Sequence, residues 1–66
     1  MSKVDEAVAF SHKMFDLKES VLKMRTEAAK RYGYESREVA SLEAILEVVE
    51  NECSDAFKRA EELCDQ

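Results

Sequence analysis

A chain of 66 residues holds one domain at most, and at that size it buries only ~60% of the surface its unfolded form exposes. A core so small contributes on the order of 3–5 kcal/mol net, so a disulfide, a metal or a second subunit usually supplements it. Two cysteines and one histidine, without CxxC or HxxxH spacing, build neither a disulfide framework nor a zinc site, and a net charge of −5 argues against broad phosphate-backbone binding. A second subunit is the remaining supplement.

The first element opens at Ser2, a capping residue, with Asp5 three positions later. Proline is absent and Gly33 is the only glycine, so nothing breaks a helix over about residues 3–32. Its heptad series is Ala7, Phe10, Met14, Leu17, Val21, Met24, Ala28 and Arg31, apolar until the last position beside the turn. His12 falls opposite that seam and is expected to be a solvated surface histidine, with no nucleophile at a helical spacing to form a dyad. A further apolar series, Val8, Phe15, Leu22 and Ala29, lies ~100° away from the seam.

Lys30 and Arg31 suit the negative end of the first helix dipole, and Gly33 is expected to close the helix in a left-handed conformation. Tyr32 and Tyr34 flank the turn beside Lys30, Arg31 and Arg37. A basic tip with two aromatics is a candidate binding site, but two tyrosines packed onto the hairpin end are the more common outcome. Ser36 caps a second helix over about 37–64, with Glu38 in its first turn. Its seam is unbroken: Val39, Leu42, Leu46, Val49, Cys53, Ala56, Ala60 and Leu63. Cys53 is expected to serve there as a small hydrophobe, and Cys64, ~16 Å further along a straight helix, is too far away for a disulfide.

Charge is uneven between the helices. Residues 3–32 carry seven Lys/Arg against five Asp/Glu, and residues 37–66 carry three against nine. The acidic run through Glu43, Glu47, Glu50, Glu52, Asp55, Glu61 and Glu62 is expected to be a solvated face that also pairs with the first helix; mimicking DNA or docking a basic partner is the alternative. Folding at Gly33 sets Arg25 opposite Glu43 and Lys18 opposite Glu50, with Lys13 by Glu52 and Glu6 by Arg59 on the other edge. Exposed pairs contribute ~0.2–1 kcal/mol each, so their value lies in register and orientation.

The expected fold is all-α: a single domain over 1–66, folded as a two-helix antiparallel coiled-coil hairpin with its turn at 33–36. One partner helix cannot cover the wide apolar arc of the first helix. The hairpin is therefore expected to homodimerise into a four-helix bundle, with Val8, Phe15, Leu22 and Ala29 at the interface. No signal, transit or membrane segment is evident, and cysteines without a framework suit a reducing compartment, so a cytoplasmic protein with no membrane association is expected.

In length, in its Met1-Ser2-Lys3 start and in the charged hairpin around Arg31-Tyr32-Gly33-Tyr34, the chain resembles small, acidic, all-helical early-region proteins of lambdoid bacteriophages. That resemblance implies a phage-encoded regulator of a host process and assigns no residue a role. The expected function is a non-enzymatic protein-interaction module, regulatory or adaptor in kind, acting as a homo-oligomer without cofactor or metal and engaging a further protein partner. The alternative is a nucleic-acid-associated regulator using Lys13, Lys23, Lys30 and Arg31 on the basic face of the first helix, against which the overall charge argues.

Overall fold

A computed structural model describes residues 2–65. Two helices account for nearly all of them: α1 over Lys3–Tyr32 and α2 over Arg37–Cys64. Serine chemistry starts both. The Ser2 hydroxyl accepts a hydrogen bond from the Asp5 backbone N–H at 3.1 Å, and the Ser36 hydroxyl accepts one from Val39 at 3.2 Å. Each fills one of the orphan donors at a helix N-terminus.

Gly33 ends α1. Its N–H donates to the Ala29 carbonyl at 2.9 Å, and its own carbonyl accepts from Ser36 at 3.2 Å. Its φ of 94° is positive, as expected, but its ψ of 157° is extended, so the residue is not in the left-handed helical basin. Both positive-φ basins are open to glycine, and the extended one turns the chain away from α1 within four residues. The helices then run back along each other as a hairpin, 47 Å in its longest dimension and 16 Å across.

The α2 contact surface is the expected seam. Val39, Leu46, Val49, Cys53, Ala56 and Ala60 are buried, and Leu42 and Leu63 are half-buried. The α1 surface departs from expectation. Its inward strip is Val4, Ala7, Ser11, Met14, Lys18, Val21, Arg25 and Ala28, whereas Phe10, Leu17 and Met24 of the expected seam are exposed. The helix is rotated about its axis by about the full angle between adjacent seam positions, so that the series of Ser11 replaces that of Phe10. Residue size is the physical reason. Ala7 and Ser11 allow close approach at the Ala56 and Ala60 end of α2, Ala28 packs by Val39 near the turn, and the Lys18 and Arg25 stems pack flat, with Arg25 Nε itself buried and without a hydrogen-bond partner. Ser11 satisfies its buried hydroxyl within its own helix, donating to the Val8 carbonyl at 2.7 Å.

Gly33→Ala tests the turn. An alanine Cβ there meets nothing within 4 Å, so its cost is backbone strain alone. We expect a loss of about 1–3 kcal/mol in urea denaturation, whereas D-alanine, whose preferred dihedrals are mirrored, leaves stability close to that of the parent.

Candidate functional site

The rotation of α1 decides which side chains remain available. Phe10, Leu17 and Met24 recur every seven residues and line one edge of the hairpin groove. The α2 residues on the same side are Ile45 and Val48. Near the turn, Met24 shares an open groove with Ser41 and Leu42. Toward the free end, Phe10 shares another with Glu52 and Arg59. These five apolar side chains are between 47% and 61% exposed, so one broad face of the hairpin carries most of its half-wet apolar surface.

The opposite face carries the series expected to form the dimer interface. Ala29 is buried in the hairpin itself, in a cluster with Ala28 and Val39, so it is not surplus to the fold. Val8 and Leu22 are half-buried, and Phe15 is exposed. Phe57 of α2 is exposed on this side too. Much of this series is therefore taken up by the edge of α2, because rotating α1 turns it toward its neighbour.

Between the helices on this second face, Arg25 Nε lies 3.8 Å from Glu43 Oε1, the one ion pair among the described residues. That spacing suits an ion pair but exceeds a hydrogen bond, so Arg25 Nε stays buried without a hydrogen-bond partner, and with both side chains partly exposed the contribution is small. Lys18 and Glu50 are not joined by an ion pair: Lys18 spends its stem as packing surface, and Glu50 is exposed. The levels these contacts define place residues whose numbers add to about 67 side by side across the hairpin.

The remaining candidates separate clearly. His12 is exposed. Tyr32 and Tyr34 do not pack onto the hairpin end; both are exposed, because α1 stops at Tyr32 and the extended Gly33 carries Tyr34 clear. Glu43, Glu47, Glu50, Glu52 and Asp55 all face solvent. Among the described residues no group of three His, Cys, Asp or Glu could hold a metal ion, and no helix is long and apolar enough to cross a membrane.

No protein-family model, curated protein or solved structure matches this chain. The functional conclusion rests on its own surfaces. Sequence patterning had pointed to the surplus of apolar surface on α1 but not to the stripe that carries most of it. The usable signal was the small Ser11 beside the bulky Phe10, Leu17 and Met24.

The two thiols report this packing directly. Cys53 is buried in the seam and Cys64 is exposed, and both are free. An aromatic disulfide reagent should titrate one thiol per native chain rapidly. The second should react orders of magnitude more slowly, at the rate of opening of the hairpin. Equal rates would mean that the seam is open.

Proposed function

We propose that this chain is a small non-enzymatic protein-interaction module, regulatory or adaptor in kind, whose first partner is a second copy of itself in a four-helix bundle. One observation carries this reading: bulk is distributed inside out. All three phenylalanines lie outside the hairpin core, and of its nine buried apolar residues four are alanines and none is aromatic. Fully burying a large apolar side chain contributes ~1.5–3 kcal/mol. Five such side chains left half-wet on one face therefore forgo on the order of 4–7 kcal/mol per copy, as much as the net stability of a core this size. An isolated hairpin would gain by turning α1 to bury Phe10, Leu17 and Met24. Small residues inside and large ones outside suit a helix with neighbours on more than one side.

The non-enzymatic part is supported by the lone, exposed His12 and by the open shape of the grooves, which bring no acid, base and nucleophile together. The likeness to lambdoid phage early proteins supports a cytoplasmic setting in which the assembled bundle modulates a host protein. The alternative, a nucleic-acid-associated regulator, would use Lys13, Lys23, Lys30 and Arg31, all exposed on α1.

Sedimentation equilibrium tests the reading. At tens of micromolar the expected mass is twice the 7.6 kDa of the chain. A mass of one chain up to several hundred micromolar, accompanied by a salt-sensitive shift of duplex DNA, would replace it with the nucleic-acid alternative.

A further inference from the structure

We infer that two hairpins stack through the face bearing Phe10, Leu17, Met24, Ile45 and Val48, about a two-fold axis along their length, with both turns at the same end and α1 of each copy lying over α2 of the other. This rests on the self-association proposed above and adds which face is used and which way round the copies sit.

The choice of face follows from exposure. This broad face exposes five large apolar side chains, whereas the opposite one exposes two, Phe15 and Phe57, with Ala29 buried and Val8 and Leu22 half-covered by α2. Area permits it. A face 47 Å by 16 Å, about 750 Å², matches the ~800 Å² per partner of a standard stable interface.

Orientation follows from charge. Two hairpins stacked on this face have two symmetric options. With the turns at opposite ends, α1 lies on α1 and α2 on α2. Taking the hairpin centre at Leu17, Lys3 then approaches the partner's Arg31, Glu6 approaches the partner's Glu27, and Glu38 approaches the partner's Glu62. Near the axis Glu52 falls opposite the partner's Val48, a charge against an apolar side chain. Like charges meet toward both ends, Ile45 falls opposite the partner's Asp55, and the acidic α2, with nine Asp/Glu against three Lys/Arg over residues 37–66, is paired with itself.

With the turns at the same end, each α1 lies over the other copy's α2 at the level it already occupies in its own hairpin. Met24 then meets the partner's Ile45, and Leu17 meets the partner's Val48. Lys13 lies by the partner's Asp55, Glu6 by the partner's Arg59, and Arg31 by the partner's Glu38. Apolar side chains meet apolar ones at the centre and opposite charges meet along the rim. Every helix in the resulting bundle has antiparallel neighbours of the other kind, the basic α1 between two acidic α2.

Two measurements on the full chain, in a Cys64→Ser background, test this. A nitroxide on Glu35→Cys reports the distance between turns by pulsed electron–electron resonance. The expected distance is within about 20–30 Å, two helix spacings plus the label arms. Sedimentation of surface variants reports the face: Leu17→Asp and Val48→Lys should return the protein to single-chain mass while circular dichroism remains helical, and Phe15→Asp should remain dimeric. A dimeric mass with turns 47 Å or more apart overturns the orientation and leaves self-association standing. Dimers that survive Leu17→Asp and Val48→Lys but dissociate with Phe15→Asp overturn the face. A parent protein of single-chain mass overturns the proposed function and this inference with it.

Discussion

The seam between α1 and α2 is narrow, and the rest of the molecule depends on that. Val39, Cys53, Ala56 and Ala60 from α2 meet Ala7, Ser11, Val21 and Ala28 from α1, so the helices are held by small side chains at close range. Packing of this kind gains dispersion from proximity, because atoms separated by a gap lose much of their attraction. The strip that joins the two helices leaves Phe10, Leu17 and Met24 on the outside.

That displacement links fold to function. A 66-residue chain has little apolar surface to spare, and leaving its largest side chains half-wet is costly for a monomer. The same arrangement is economical for a bundle, where the displaced side chains become the second layer of a shared core. Charge then sorts the possible bundles. The acidic excess of α2 sets it against itself in like-on-like stacking, and the turn places both helices at matching levels for the unlike arrangement. Exposed ion pairs such as Arg25 with Glu43 add little stability individually, but a row of them discriminates between orientations.

How much of this was legible in the sequence differs between the helices for a physical reason. Gly33, Ser2 and Ser36 are chemically distinctive, and they mark the helix ends because few other residues do their work there. The α2 seam is legible because one apolar stripe dominates that helix. On α1 three apolar series run side by side, through Phe10, through Ala7 and through Val8, and periodicity alone does not say which pair faces α2. Side-chain volume decides, and it acts only once two helices are brought together. The extended ψ of Gly33 and the outward tyrosines were illegible for a related reason: glycine is free in either positive-φ basin, and that single dihedral sets where Tyr34 goes.

The central claim is that the hairpin is completed by a second copy of itself. Association stabilises the folded state by mass action, so a folded dimer melts at a temperature that rises with protein concentration. The thermal midpoint, followed by circular dichroism from about 5 to 500 µM, should climb by several degrees, with ~4–8 °C for each kcal/mol in a domain of this size. A midpoint independent of concentration over that hundredfold range, together with single-chain mass, would contradict the account.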